Sequence, residues 1–279
     1  VDPWLARLRR DGHLGRDGDP AATVRSALEV LWSRRGALAA SPAATVARTD
    51  LAAVTCHDAH ALDDDRRLGV YVLRAVSLAR GLDVPSDAFS RRAAWAEIGV
   101  LPDSVSATCL VWHLSVGSTD ADGRPVPLDT SMPFHLTWWH VRAGLRIEGG
   151  GRVLVCENPR VLEAIAEDEV DDLGVVCTSG RPNLVTQHVL AKLASSSTRL
   201  LYHGDLDWPG VAMANDAAAR WGARPWRMSV HDYEAAPGAL PLGHRVVDPA
   251  WDDELGAAMR RRGVAVHEEA VLDELLASL

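Results

Sequence analysis

The sequence predicts an α/β protein, a parallel sheet flanked by helices, with a mainly helical region ahead of it. Three observations carry this. Residues 152–156 (RVLVC), 173–177 (LGVVC) and 198–203 (TRLLYH) are short, continuous apolar runs, the pattern of strands buried on both faces. Each run is followed by a stretch of helical periodicity, beginning at Pro159, Asn183 and Pro209. Residues 1–105 show helical spacing instead, so the chain divides into a helical region over 1–105 and an α/β region over 106–279.

Taken in order, Val24, Leu28 and Leu31 predict a helix over 21–38 that stops near Gly36. Asp63, Asp64 and Asp65 stand as acidic caps before a second helix carrying Leu68, Val72, Ala75 and Ala79, which Gly81 ends. A third helix is expected over 91–98, and residues 102–104 (PDS) mark a boundary. Residues 107–116 (ATCLVWHLSV) read as a strand and 118–127, rich in Asp and Gly, as an exposed loop. Residues 134–142 (FHLTWWHVR) fit either a strand or a helix capped by Thr137. After the third apolar run, residues 226–228 offer a short fourth strand, and helices are expected over about 250–262 and 267–278.

Composition narrows the function. The 279 residues are 47% hydrophobic and 24% charged, ordinary for a globular chain. No apolar run approaches the ~20 residues of a membrane span, and no signal peptide is visible, so a cytoplasmic protein away from membranes is expected. The opening residue is Val1, not Met, which leads us to expect further chain before it. Cys56, Cys109, Cys156 and Cys177 include no C-x-x-C pair and suit free thiols. The net charge is −9, with 15 basic against 24 acidic residues after position 105. A broad basic face for nucleic acid is therefore not expected. Lys192 is the only lysine, hence the only candidate for lysine chemistry.

The chemistry lies where the apolar runs end. Ligands of open parallel sheets bind beyond the carboxyl ends of the strands. Glu157 follows the first run, and Asp205 and Asp207 follow the third, two residues apart and so on one side of an extended chain. Glu157-Asn158-Pro159 and Asp207-Trp208-Pro209 share a pattern of acid, one residue, then a proline suited to a first helical turn. Three carboxylates drawn together repel, and a hard cation such as Mg²⁺ or Mn²⁺ relieves them while engaging phosphate oxygens. The plainer alternative is that the acids simply complement helix N-termini.

These residues carry a resemblance. A Glu after one strand and Asp-x-Asp after a later one resemble the Toprim domain, over roughly 150–235. The strings VCENP (155–159), CTSGRPN (177–183), LLYHGDLDWPGVAMAN (200–215) and PWRM (225–228) resemble the JetD-like nuclease subunits of type II Wadjet plasmid-defence systems. HALDDDRRLGVYVLRAVSLARG (60–81) is similar to the helical region ahead of the Toprim part in the same group. The resemblance implies a protein like the A subunit of topoisomerase VI, a homodimer that cleaves circular double-stranded DNA delivered by an SMC-type ATPase complex (JetABC-like partners). It implies that Asp205 and Asp207 bind Mg²⁺ or Mn²⁺, that Glu157 completes the metal site or acts as general acid/base, and that the nucleophile is a metal-activated water. In topoisomerase VI the nucleophile is a tyrosine on a winged helix. Tyr71, Tyr202 and Tyr233 are the tyrosines here, and none falls in such a setting.

Weaker signals surround this set. Ser179, Gly180 and Arg181 could hold a DNA phosphate on backbone N–H groups and a guanidinium, or form an ordinary βα turn. His203 could touch phosphate, or be satisfied by hydrogen bonds in the interior. Cys56-His57-Asp58 with His60 and Asp63 lacks a second ligand pair and is a poor zinc site. The six acids within 163–172 suit a solvated face, and Trp138-Trp139 is the best candidate for base stacking. Asp216 and Asp232 are conceivable further metal ligands. Two other functions compete: a non-catalytic, dimerising, DNA-guiding subunit, and a phosphatase of the haloacid-dehalogenase kind. In the latter, Asp-x-Asp follows the first strand and a lysine lies downstream; here the pair follows the third and Lys192 lies upstream.

Overall fold

The three apolar runs of the C-terminal half form strands that lie side by side in a computed structural model, which describes residues 2–35, 45–103, 105–120, 122–170, 172–238 and 240–279. The chain is α/β and divides into two compact units, Val1–Ala107 and Thr108–Leu279.

The first unit is built from helices α1 (Asp2–Arg10), α2 (Pro20–Ser33), α3 (Arg48–Cys56), α4 (Arg67–Arg80) and α5 (Ala88–Ala96), with two residue pairs, β1 (Val46–Ala47) and β2 (Val100–Leu101), joined in parallel. Its core gathers Trp4, Leu8, Leu51, Leu62, Tyr71, Val72, Val76 and Trp95. Asp19 caps α2 by accepting from the Ala22 N–H, and Pro20 opens the helix; the expected end at 36–38, with Gly36, lies outside the described residues, as does Ser104 of the expected boundary. Two expectations are corrected. Asp63 and Asp64 do not cap α4, whose N-cap is Arg66; both form ion pairs with Arg48 instead. The third helix starts at Ala88, because Asp87 accepts from the Ser90 N–H and sets the first turn. Helices α1 and α3 have no counterpart in the sequence reading.

The second unit opens with β3 (Thr108–Trp112), β4 (Val116–Thr119), β5 (Pro125–Leu128), β6 (Phe134–Thr137), α6 (Trp138–Arg142) and β7 (Arg146–Ile147). The expected single strand over 107–116 is thus two strands, broken at His113, whose φ is +51°. The expected loop over 118–127 is in part a hairpin of β4 with β5. Its prolines are tolerated because β5 is an edge strand, where a missing N–H costs no ladder bond. Residues 134–142 satisfy both expectations in turn, a strand and then a helix with Thr137 at its N-cap.

The alternating part follows: β8 (Arg152–Cys156), α7 (Pro159–Glu167), β9 (Leu173–Cys177), α8 (Leu184–Ala194), β10 (Arg199–Tyr202), α9 (Trp208–Trp221) and β11 (Arg224–Pro225). The sheet order is β11-β10-β8-β9-β3-β6; the first four strands are parallel, and β3 and β6 are added antiparallel. The fourth parallel strand lies two residues earlier than expected, because Arg227, at φ +54°, turns the chain away. From β8 the chain steps to β9 on one side; from β9 it returns past β8 to β10 on the other. Right-handed crossovers in opposite directions put α7 on one face and α8 with α9 on the other. Helix α7 packs with the C-terminal helix α12 (Leu272–Leu276), and α8 packs with α9. The remaining elements are α10 (Val230–Ala235), β12 (Leu240–Pro241), α11 (Asp253–Arg262), β13 (Val264–Ala265) and a 3₁₀ turn over Glu268–Val271. The helix expected over 267–278 is therefore a 3₁₀ turn followed by the short α12. Among the described residues no helix is long and apolar enough to cross a membrane.

Candidate functional site

The reversal of chain direction at β8 makes the gap between the carboxyl ends of β8 and β10 the topological switch point, where open α/β sheets bind ligands in a crevice. Register fixes what faces it. Val155 pairs with Tyr202, and the His203 N–H donates to the Val155 carbonyl at 2.9 Å, so Glu157 and Asp205 leave neighbouring strands at nearly one level. Chain direction past Tyr202 is held by a bridge between Leu206 and Val266, which keeps the Asp205–Asp207 stretch extended.

Each acid is held differently. Asp207 is the N-cap of α9, its Oδ1 accepting from the Gly210 N–H at 2.7 Å. Gly210 is required there, since a Cβ would stand 2.0 Å from the Asp205 carbonyl oxygen. Asp205 caps nothing: its Oδ2 lies 3.0 Å from His267 Nδ1, and its Oδ1 accepts from the Glu268 N–H at 2.9 Å. Glu157 precedes its helix's cap, because Asn158 accepts from the Arg160 N–H. Glu157 Oε2 is sealed from solvent and has no hydrogen-bond partner among the described residues.

The electrostatics follow from this crowding. Burial, then the charges of Asp205 and Asp207, push the Glu157 carboxyl up to about 8. Burial and Asp205 raise Asp207 as well, against the pull of the Gly210 N–H. His267 is raised by its hydrogen bond to Asp205. Among the described residues no three His, Cys, Asp or Glu side chains form a ready-made cage for a metal ion. Mg²⁺ does not need one, since it is held by one or two carboxylates and completes its octahedron with water. The all-oxygen donor set, the mutual repulsion of its members and the orphaned Glu157 oxygen fit such an ion.

One of two matching family models covers this half of the chain. The family model described as "Protein of unknown function C-terminus (DUF2399)" matches residues 135–279. The chain belongs to the DUF2399 family. A second model, "Protein of unknown function N-terminus (DUF3323)", matches residues 1–116. No curated protein matches the chain. The DUF2399 match contains Glu157, Asp205, Asp207 and every group that touches them.

Of the weaker expectations on this DUF2399 segment, the 179–181 turn follows β9 at the same sheet end, with Ser179 and Gly180 at φ +50° and +86°. Arg181 is close enough to oppose the rise of Glu157 electrostatically, and among the described residues its guanidinium has no hydrogen bond or ion pair. His203 does not face the crevice mouth: it is 1% exposed, its Nδ1 lies 3.0 Å from the Trp226 carbonyl, and burial pushes it down to about 4. Asp216 and Asp232 are spent elsewhere, on Arg220 and on Arg227 with Ser229. Trp138 is buried and stacks on His188, while Trp139 is exposed with Arg142 over its ring. His60 pairs with Asp63, and no metal cage forms there among the described residues. Asp171 of the acidic run lies outside the described residues.

The sequence reading missed His267 and Glu268. Glu268 is fully buried and accepts from the N–H groups of Glu157, at 3.1 Å, and Asn158, at 2.5 Å. Burial, then Glu157 and Asp205, hold its carboxyl well above the usual range. A signal was present: VAV (264–266) followed by His267-Glu268 repeats the pattern of a short apolar run ending in an acid.

Proposed function

We propose that this protein is a divalent-metal-dependent DNA endonuclease of the Toprim kind. The observation that carries the reading is the meeting of Glu157, Asp205 and Asp207 at one sheet end, with a buried Glu157 oxygen that no donor satisfies among the described residues. A buried Glu157 carboxyl raised by burial and by the charges of Asp205 and Asp207 marks a place suited to receive positive charge. Asp205 and Asp207 would hold Mg²⁺ or Mn²⁺, with Glu157 completing the oxygen set. When bound, such an ion neutralises charge on a phosphate oxygen and makes water a nucleophile at neutral pH.

The chain's own groups supply the rest. Asp205 is oriented from two sides, by His267 and by the Glu268 N–H. Asp207 commits one oxygen to α9 and keeps the other. Glu157, pushed up to about 8 in the metal-free chain, would either complete that oxygen set as a carboxylate or, left off the metal, carry the proton for a leaving oxygen. Arg181, whose guanidinium has no hydrogen bond or ion pair among the described residues, would be available to a phosphate near Glu157.

Water is favoured over tyrosine as nucleophile. The Tyr71 hydroxyl donates to Asp17, that of Tyr233 to the Val264 carbonyl, and that of Tyr202 is buried inside the sheet. The reading extends to an effector subunit of an SMC-type plasmid-restricting complex acting as a homodimer. The strings around the site support it, and so does the net charge of −9, which offers little counterion release and makes delivery of DNA by partners the natural route.

The test is incubation of supercoiled plasmid with the protein and Mn²⁺. Nicking or linearisation that disappears in Glu157→Ala and Asp205→Ala is expected. Cleavage by those variants at the wild-type rate would refute the assignment. A wild type that neither cuts nor binds Mn²⁺ would favour a non-catalytic, DNA-guiding subunit.

A further inference from the structure

Three consecutive residues from outside the alternating strand–helix run close on the acid site. Val266 bridges to Leu206, the residue between the two aspartates, through Leu206 N–H to Val266 oxygen at 2.8 Å and Val266 N–H to Leu206 oxygen at 3.3 Å. His267 then meets Asp205 Oδ2 through its side chain, and Glu268 meets Asp205 Oδ1 through its backbone N–H. The Glu268 side chain reaches the other turn, where its carboxylate takes the N–H groups of Glu157 and Asn158. One short segment thus grips both acid-bearing turns, which are otherwise 48 positions apart in the chain. Burying a carboxylate is costly, and it is sustained only where hydrogen bonds repay it. Both Glu268 oxygens are spent on backbone donors.

We infer that Glu268 and His267 are positioning residues for the cation site: Glu268 fixes the Glu157–Asn158 turn, and His267 fixes the Asp205 carboxylate. Neither is assigned as a ligand. The inference rests on the metal-nuclease reading, but its Glu268 half can be measured without metal. Groups that orient metal ligands typically carry about 10–100-fold in metal affinity. His267 suits a variant test because its side chain is 40% exposed, so its removal leaves the core intact.

The experiment titrates full-length protein with Mn²⁺, followed by electron paramagnetic resonance, and measures amide hydrogen exchange in the metal-free protein. His267→Ala is expected to weaken Mn²⁺ binding about tenfold or more. His267→Asn, which keeps an N–H donor near the Nδ1 position, restores most of that loss. In Glu268→Ala the Glu157 and Asn158 amides lose exchange protection, while Glu268→Gln, which retains an acceptor oxygen, keeps it. If Glu268→Ala does not fold, the His267 pair and Glu268→Gln still decide the matter. Wild-type Mn²⁺ affinity in His267→Ala, or unchanged protection of both amides in Glu268→Ala, overturns the inference and leaves the nuclease reading standing. Absence of Mn²⁺ binding by the wild type overturns both.

Discussion

Replacing Glu157 by glutamine removes a charge that the folded chain holds at a cost. The carboxyl titrates near 8 in the folded protein against an ordinary value of 4.5. Below pH 4.5 the group is neutral in both states and its contribution to stability is intact. As pH rises from 4.5 towards 8 the unfolded chain ionises first, so the folded state loses stability, and above 8 the loss levels off. Each unit is worth about 1.4 kcal/mol, so at pH 7 the loss is at most about 3.5 kcal/mol. Glu157 as a whole residue is only partly buried, and solvent screening reduces the figure to about 2 kcal/mol. A glutamine escapes it. Urea unfolding in the presence of a chelator is the assay. Glu157→Gln should be more stable than the wild type by about 2 kcal/mol at pH 7, with the two within about 1 kcal/mol near pH 4.5. Saturating Mg²⁺ should stabilise the wild type and leave the variant unmoved, because only the wild type has the charge to offer. A variant that is less stable at pH 7, or a gap that does not change with pH, would refute the reasoning.

Asp207 and the tyrosines give further tests. Asp207→Asn keeps an equally good cap on α9 while deleting the charge, so thermal denaturation should show stability within about 0.5 kcal/mol of wild type, and Mn²⁺ titration should show binding lost. Asp207→Ala loses the cap as well and should cost about 1 kcal/mol more. Asp207→Asn with wild-type affinity would remove Asp207 from the site. Tyr71→Phe, Tyr202→Phe and Tyr233→Phe should each cleave plasmid like the wild type and leave no protein–DNA adduct on a denaturing gel; an adduct that one of them abolishes would make that tyrosine the nucleophile. Tyr202→Phe, which deletes a buried hydroxyl without a partner among the described residues, should also stabilise the fold by about 1 kcal/mol in urea unfolding.

The alternating strands and helices were legible because β8, β9 and β10 are buried on both faces and so read as unbroken apolar runs. Pro159, Asn183 and Pro209 announced their helices, since an early proline or a capping side chain acts within a few residues of sequence. What was hidden depends on distant contacts. Strand β5 is written in prolines and sits on an edge that tolerates them, so composition reads it as loop. Asp63 and Asp64 look like caps until Arg48, from another helix, claims them. Chain past the strands concealed the rest of the acid site. Glu268 lies 111 residues from the Glu157 N–H that it accepts, and local pattern does not reveal a partner at that distance. His203 shows the converse: it follows a strand beside two acids, yet the backbone of Trp226 takes its ring nitrogen and the interior covers it.

If Glu157, Asp205 and Asp207 act together as the proposed cation site, their charges are coupled. Titration of the Glu157 carboxyl carbon by ¹³C NMR, first without metal and then with Mg²⁺, measures this at the atom concerned. The expected midpoint is near 8 without metal, falling towards the ordinary carboxylate range when Mg²⁺ is added. An ordinary carboxylate midpoint in the metal-free protein, unmoved by Mg²⁺, would contradict it.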